Sequence, residues 1–170
     1  MIFGEKHGAV ILNPRRGFTT LELMVVITII LVIVAIALPN ASEWARNQRL
    51  KGVARDLVSH FQFARLEAIK SSTPVELTFY LNSEPIKDSY TVSKDGVTLI
   101  VVRMPAGVNL KETTFVDNKV GYKPRGFPDP TSFPSAEPGR VEIENDEILY
   151  RVMMQKTSGG LKLEGPEPRS

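Results

Sequence analysis

The chain lacks cysteine altogether, and its 170 residues include only two histidines, His7 and His60. Without thiols it can form no disulfide, no thiolate metal site and no cysteine nucleophile. No motif places a histidine base beside a nucleophile, and no glycine-rich segment resembles a phosphate-binding loop. The sequence therefore indicates no catalytic residue, no cofactor and no metal, and an enzyme is not expected.

Net charge is also small, at +2, and it is concentrated at one end. Residues 1–17 contain Lys6, Arg15 and Arg16 against Glu5, whereas the rest of the chain carries equal numbers of basic and acidic side chains. Nucleic-acid binding depends on several Lys and Arg contacts to phosphate. Because the chain is neutral beyond its first segment, a nucleic-acid partner is not expected.

One long hydrophobic run lies near the N-terminus. In residues 23–38 only Thr28 is polar, and extending the run back to Phe18 gives 21 mostly apolar residues. As a helix rising about 1.5 Å per residue, this segment spans roughly 31 Å, close to the thickness of a bilayer's hydrocarbon core. A buried strand of this length would be abnormal. The run therefore predicts a helix over residues 18–39.

Three interpretations of this helix compete. It fits a buried core helix, a secretory signal cleaved after Ala35-Ile36-Ala37, or an uncleaved membrane helix. A core helix that is apolar all round needs a larger protein around it, and basic residues before the run favour a cytoplasmic N-terminus in both membrane interpretations. Glu22 favours the uncleaved helix, because a carboxylate in an apolar helix is costly and brings nothing to a signal peptide.

The residues around Glu22 read Arg15-Arg16-Gly17-Phe18-Thr19-Thr20-Leu21-Glu22-Leu23. This segment resembles the N-terminal signal of type IV pilins and pseudopilins. The resemblance implies that residues 1–17 are a leader, that a prepilin peptidase cuts between Gly17 and Phe18, and that the same enzyme methylates the new Phe18 amine. It also implies an assembly role for Glu22, whose carboxylate would pair with the Phe18 amine of a neighbouring subunit. If one partner of such a buried pair is missing, the other charge is left uncompensated at a large cost. The pair would therefore enforce subunit register in a filament.

An amphipathic helix is predicted for residues 42–72. Ser42 is its expected N-cap, and Pro74 disfavours helix at the preceding residue. The apolar positions follow one stripe, namely Trp44, Leu50, Val53, Leu57, Phe61, Ala64 and Ala68. Charged residues occupy the other faces, which we interpret as a solvated surface, and the isolated His60 as a surface or boundary residue.

A second resemblance covers residues 57–77. The segment Ala64-Arg65-Leu66-Glu67-Ala68-Ile69, followed by a polar turn and Pro74-Val75-Glu76-Leu77, is similar to the GspH/FimT branch of minor pilins. The resemblance implies a pilin-like α+β fold. Its long N-terminal helix, with a membrane-spanning half and an amphipathic half, would pack on antiparallel β-sheet.

Beyond Pro74 the apolar residues alternate, which predicts a β-rich region over residues 74–164. Asp95-Gly96 between two strand-like runs is a two-residue hairpin signal. The expected strands cover residues 75–81, 89–94, 97–102, 108–110, 113–116, 140–144, 148–155 and 161–164. The tail, residues 166–170, is expected to be disordered together with Gly165.

Residues 121–139 are predicted to form an exposed loop, because their five prolines cannot donate to a central ladder. The sequence leaves open whether Phe127 and Phe133 form a contact surface there or fold back over the core. A group of acidic residues follows the loop: Glu142, Glu144, Asp146 and Glu147. We interpret this group as a solvated strand edge rather than as a metal site.

The resemblances together imply a leader (1–17), a transmembrane and filament-core helix (18–39), a periplasmic head (40–165) and a tail. They imply a minor pseudopilin of a type II secretion system, a structural subunit of the periplasmic pseudopilus that helps to export folded proteins. Its partners would be other pseudopilins or pilins, prepilin peptidase and the assembly platform of the bacterial inner membrane, which the chain would cross once.

The alternative is a FimT-type minor type IV pilin that binds DNA or primes pilus assembly in DNA uptake or motility. That subgroup tends to carry Gly-Arg-x-Arg in its last hairpin, where this chain reads Gly159-Gly160-Leu161-Lys162. Only one basic residue remains there. The contacts expected under this alternative are Lys162, Lys156, Lys123 and Arg125.

Overall fold

The structure, a computed structural model, describes residues 17–81, 87–134 and 138–169, and within them the side chains of all but residues 37–41. The predicted leader before Gly17, including His7, and the last tail residue lie outside the described residues. The chain divides into two compact units, Met1–Ala41 and Ser42–Ser170.

One helix, α1, runs from Thr20 to Ser71 over 52 residues. It is continuous through position 42, so the prediction that Ser42 caps a separate helix is wrong. The hydroxyl of Thr19 accepts a hydrogen bond from the backbone N–H of Glu22 at 3.1 Å, which caps the helix start. At the other end Ser72 takes a positive φ of 53°, and Pro74 follows as predicted.

In the N-terminal unit, the apolar side chains of α1 are exposed. The exposed fraction of the large apolar side chains between Phe18 and Ile36 ranges from 43% to 86%. The one polar residue within the run, Thr28, donates its hydroxyl hydrogen to the backbone oxygen of Met24 at 2.8 Å, so its polar group is satisfied inside the helix.

The second unit contains eight strands: β1 (Val75–Tyr80), β2 (Ser89–Lys94), β3 (Val97–Arg103), β4 (Asn109–Thr113), β5 (Lys119–Tyr122), β6 (Gly139–Glu144), β7 (Ile148–Met154) and β8 (Leu161–Pro168). They form two four-stranded antiparallel sheets, ordered β3-β2-β1-β5 and β4-β6-β7-β8. Short 3-10 helices, Val116–Asn118 and Pro130–Ser132, interrupt the connections. The predicted α+β class with antiparallel sheets is confirmed.

One face of the head part of α1 and the inner faces of both sheets share a single core. From α1 it takes Leu50, Ala54, Leu57, Phe61, Ala64 and Ala68. The alternation predicted for β1 is confirmed, because Val75, Leu77 and Phe79 are buried. Phe61 lies 6.1 Å from Phe79 between ring centres, so an aromatic cluster joins the helix to the first sheet.

Several local predictions are wrong. Trp44, assigned to the buried stripe, is 66% exposed, whereas Ala54, which was not assigned, is fully buried. Residues 113–116 are not a strand of their own. The predicted loop begins too early, because β5 covers Lys119–Tyr122 and pairs with β1. The signal for β5 is weak, since this four-residue strand follows directly on Asp117 and Asn118, both at positive φ.

The tail also differs from its prediction. β8 continues to Pro168, and the backbone N–H of Arg169 donates to the oxygen of Glu147 at 3.0 Å. The expected disorder is therefore wrong for residues 165–169. Prolines are compatible with this segment because β8 is an edge strand, where a missing N–H on the outer side breaks no ladder bond.

Candidate functional site

The segment predicted to be processed, Gly17 and Phe18, lies before the first turn of α1. Phe18 is 86% exposed, and a Cβ placed on Gly17 would meet no atom within 4 Å. The fold of this chain therefore does not require glycine at position 17, because a side chain there would meet no neighbour. If glycine is needed there, the requirement comes from a molecule that approaches the backbone.

Glu22 lies in the first turn of α1, where the helix dipole favours a negative charge. The ion pairs formed within the described part of the chain do not involve it. Its side chain is exposed, so the carboxylate is accessible to a group from another molecule. Among residues 17–81, 87–134 and 138–169, no helix combines the length and the apolar character needed to cross a membrane.

The four basic residues of the DNA-binding alternative occupy two places. Lys123 and Arg125 lie in the loop after β5, and Lys156 approaches that loop, with its Nζ 6.0 Å from the centre of the Phe133 ring. Lys162 lies on β8 opposite Met153. The structure thus brings three of the four near one loop and leaves Lys162 on a strand.

Two of these lysines are already paired with carboxylates. The Nζ atom of Lys162 lies 2.7 Å from Glu164, a hydrogen bond that raises the pKa of the Lys162 ammonium group. The Nζ atom of Lys123 lies 3.8 Å from Asp129. Binding of a phosphate would have to compete with these acids, which weakens both positions as phosphate contacts.

The prediction of a solvated edge is wrong for two of the four acidic residues after the loop, Glu142 and Glu144, whereas Asp146 is exposed. Glu142 is 5% exposed and Glu144 6% exposed. The Nε atom of Arg151 lies 2.8 Å from Glu142, while Lys111 and Arg169 lie 3.5 and 3.3 Å from Glu144. Strand pairing explains why these two carboxylates are buried beside cations, because it aligns basic side chains from neighbouring strands with them.

Glu147, together with the neighbouring Asn145, holds the β6–β7 turn against α1. Asn145, 1% exposed, accepts from the backbone N–H groups of Glu147 and Ile148 and donates to Asn47 at 2.8 Å. The Nη2 atom of Arg46 donates to Glu147 at 2.7 Å. This hydrogen bond holds the pKa of the Glu147 carboxyl below its ordinary value. The cluster Arg46, Asn47, Asn145 and Glu147, here called the polar clamp, is a structural connection.

His60 has a partner that its sequence position does not suggest. Its Nδ1 lies 2.6 Å from the hydroxyl oxygen of Tyr90, and the residue is half-buried, as a boundary residue should be. Burial raises the pKa of the Tyr90 hydroxyl, so the phenol stays protonated at neutral pH. This contact joins α1 to β2.

A polar groove of about 710 Å³ lies on the outer face of the first sheet. Its lining includes the hydroxyls of Thr78, Thr91 and Ser93, and an ion pair of 3.2 Å between Glu76 and Lys119. These groups can form hydrogen bonds to a polar ligand. They do not include a histidine or a nucleophile–base pair.

The head has two exposed apolar surfaces that were not predicted from the sequence. On α1, Phe63, Leu66 and Ile69 form a second apolar stripe outside the buried one. On β3, Val97, Leu99 and Val101 are 64%, 39% and 56% exposed. The available signal was the run of residues 99–102, which is apolar at every position instead of alternating.

The two aromatic residues of the proline-rich loop behave differently. Phe133 is 5% exposed and packs edge-on against Phe115, with ring centres 5.4 Å apart. Phe127 is 53% exposed. The question that the sequence left open therefore has a divided answer, since one aromatic covers the core and the other remains on the surface.

Comparisons with known proteins fit this architecture. Residues 53–158 match the family described as Type II transport protein GspH, and residues 12–38 match the prokaryotic N-terminal methylation motif. Both resemblances drawn from the sequence are thereby confirmed. No curated protein matches the chain in sequence.

Two solved structures share the fold. The type IV minor pilin FimU of Pseudomonas aeruginosa strain PAO1 is 15% identical, with a TM-score of 0.55 over 72% of this chain and 93% of that one. The minor pseudopilin EpsH from the Type 2 Secretion System of Vibrio cholerae is 17% identical, with a TM-score of 0.52 over 69% of this chain and 98% of that one. At these identities the likeness concerns the fold alone.

Proposed function

Because the chain belongs to the family of the type II transport protein GspH, we propose that it is a minor pseudopilin of a type II secretion system. The family and the methylation motif together imply a pilin-like, membrane-anchored periplasmic subunit that assembles into filaments with other pilins. The finer proposal is a subunit of the periplasmic pseudopilus that helps to export folded proteins. Its role is structural, without catalytic residues of its own.

The observation that carries the proposal is the combination of three features in one chain. The methylation motif of residues 12–38 includes an apolar helical segment whose side chains are exposed, and it is followed by a GspH head at residues 53–158. An apolar surface of that extent needs cover from a membrane or from other helices. We propose that the bacterial inner membrane covers it before assembly, with the N-terminus in the cytoplasm, and that neighbouring subunits cover it in the filament.

Processing between Gly17 and Phe18 is the first step of the proposal. Mass spectrometry of the protein from a host with prepilin peptidase is expected to show a chain that starts at Phe18 and carries one additional methyl group. Gly17→Leu should block the cut without changing the fold, because a side chain at position 17 meets no neighbour within 4 Å. A mature chain that starts near residue 39 would instead identify a secretory signal peptide.

Membership of the secretion system can be tested by deletion of the gene. Loss of protein export with normal pili, restored by the intact gene, is the expected result. Loss of pili with normal export would assign the chain to a type IV pilus. The FimU fold similarity gives this alternative its support, since a minor pilin of that system has the same architecture.

DNA binding is the sharpest part of that alternative. The full chain in detergent should show no salt-sensitive binding of duplex DNA at micromolar concentration, because Lys162 and Lys123 are paired with acids and the processed chain would be neutral. Titrations at low and physiological salt measure this, with Lys162→Ala as the variant and Lys51→Ala as a matched control. Micromolar binding that weakens with salt and disappears in Lys162→Ala would favour the DNA-binding pilin.

A further inference from the structure

The edges of the two sheets differ in how they are protected. Within the described residues, β5 is covered by its own loop, since the backbone N–H of Asp129 donates to Gly121 at 2.7 Å and Tyr122 bridges to Pro128. β8 contains two prolines, and β4 carries the charged Lys111 and Glu112. Covering loops, prolines and charges all hinder pairing of an edge with another chain. Three of the four edge strands are thus protected.

β3, the fourth edge strand, has neither a proline nor a covering loop among the described residues, and its one charged residue, Arg103, lies at its end. Its sequence Val-Thr-Leu-Ile-Val-Val-Arg contains no proline and no acidic residue. It also exposes Val97, Leu99 and Val101. The irregularity in its pairing with β2 lies opposite Val92 and Ser93, so residues 100–103 are paired in regular register. An exposed apolar edge strand of this kind is the usual template for the addition of a further strand.

The backbone groups that face outward can be identified from the ladder. The N–H of Met104 donates to the oxygen of Asp88 at 2.8 Å, so position 104 points toward the β2 side. Because successive residues of a strand alternate, positions 102 and 100 point the same way. The N–H and C=O groups of Val101 and Arg103 therefore face away from β2, and among the described residues they have no ladder partner.

The size of this edge limits the kind of partner. At about 3.3 Å per residue and about 10 Å of sheet thickness, a seven-residue strand offers roughly 230 Å². Independent stable complexes bury roughly 800 Å² on each partner. The edge alone is thus too small for a free partner from solution. It suits a partner that a second interface already holds nearby, which the exposed apolar segment of residues 18–36 provides.

Charge distinguishes between a second copy and a different subunit. Arg103, at the end of β3, is exposed, and its best partner on an added strand is a carboxylate. A second copy that paired through its own β3 would supply no such group, because that strand contains no acidic residue.

We propose that β3 accepts a strand from the head of a different subunit in the same filament. The added strand has aliphatic side chains at alternate positions, contains no proline and places a carboxylate opposite Arg103. This inference rests on the proposed function, because filament assembly is what holds the partner close.

The test uses the full chain in cells that assemble the filament, with a photo-cross-linking amino acid in place of Leu99. Mass spectrometry is expected to locate the cross-link in a β-strand of another pilin-like subunit. Val101→Pro, which removes an outward N–H, and Arg103→Glu, which keeps the whole backbone edge, should each lower its yield at least tenfold per assembled chain. Val101→Thr keeps the outward N–H and the branched shape, and should leave the yield within twofold.

The alternative outcomes are distinct. A cross-link to a second copy, a cross-link to a helix, or no cross-link in a chain that is present in filaments overturns the strand pairing and leaves the proposed function intact. An undiminished yield in Arg103→Glu, whose fold is checked by its melting temperature, overturns it as well. A chain that is absent from the filament fraction overturns both proposals.

Discussion

Two stretches of helix α1 carry apolar side chains, and they differ in what covers them. In the N-terminal unit the large apolar residues between Phe18 and Ile36 are all at least 43% exposed. In the head, Leu50, Leu57 and Phe61 are fully buried against two sheets. One stretch is therefore apolar all round and uncovered by its own chain, whereas the other is apolar on one stripe and covered by it.

This difference separates residues that specify the fold from residues that specify assembly. Burial of a Leu or Phe side chain stabilises the head by about 1.5–3 kcal/mol. The exposed residues of the first stretch contribute nothing comparable within the chain. Under the proposed function they gain their burial from lipid and from neighbouring helices, so substitutions in the two stretches should affect different measurements.

The largest effect is expected from Glu22→Gln. It removes the carboxylate that would pair with the Phe18 amine of a neighbour, and an uncompensated buried charge should lower incorporation into filaments roughly tenfold or more. The amount of chain in sheared filaments, relative to the total, measures this. Glu43→Gln is the matched control on the head part of α1 and should assemble normally. Equal incorporation of the two variants into filaments would contradict the proposed assembly role of Glu22.

Phe61→Ala should have the largest effect on stability. Phe61 is fully buried beside Phe79 and Phe115, and loss of such a side chain costs about 3–5 kcal/mol. Urea unfolding of the purified chain in detergent, followed by tryptophan fluorescence and circular dichroism, measures the change. Phe63→Ala, at a side chain that is 38% exposed, should cost less than about 1 kcal/mol. Similar losses in both variants would contradict the assignment of the buried stripe.

Asn145→Ala tests the polar clamp, which stabilises the head without apolar burial. The substitution leaves the N–H groups of Glu147 and Ile148 and the side-chain oxygen of Asn47 without their partner. Unsatisfied groups of this kind cost about 1–3 kcal/mol. The free energy of unfolding should fall by that amount, while Asn109→Ala, at an exposed position, serves as the control. A loss no larger than that of the control would show that the clamp is dispensable.

The smallest effect is expected from pH. Hydrogen bonds from Arg46 and from Lys94 hold the pKa values of Glu147 and Glu67 below their ordinary value of 4.5. A carboxyl with a lowered pKa in the folded state stabilises the fold above the unfolded pKa, and this stabilisation is lost as pH falls through the folded value. Melting temperatures between pH 7 and pH 3 should therefore fall toward the acid end.

Glu147→Gln is the informative variant for this pH dependence. The amide cannot titrate, so the decrease toward acid should be shallower than in the parent chain, although the melting temperature at pH 7 should be slightly lower. An identical slope in the two proteins would mean that other carboxyls dominate the acid response.

Much of the head could be predicted because its signals are local. Pro74 ends α1 where expected, Asp95-Gly96 turns the β2–β3 hairpin, and the alternation over Val75–Tyr80 matches the buried face of β1. Backbone geometry at a proline or a two-residue turn depends on the residues themselves. The candidate processing site is local in the same sense, since Gly17, Phe18 and Glu22 were found from adjacent residues.

Other features depend on partners that are distant in sequence. Glu142 and Glu144 read as solvated acids, and only the pairing with β4 and β7 places Lys111 and Arg151 against them. Trp44 fits the periodicity of the buried stripe yet lies on the surface. Helical spacing describes one face of a helix, but it contains no information on how far a sheet extends along that face.

By itself, the sequence determined the long apolar helix and the alternation of the first strand, because each follows from spacing along the chain, and it showed the N-terminal methylation motif through resemblance. Only the tertiary structure decided that Phe133 is buried while Phe127 is exposed, and that β8 continues through two prolines. Only the tertiary structure also placed β3 at a sheet edge that no loop covers among the described residues. These outcomes depend on which strands become neighbours. Strand pairing joins segments that are distant in sequence, and the residues of one strand do not determine which other strand it pairs with.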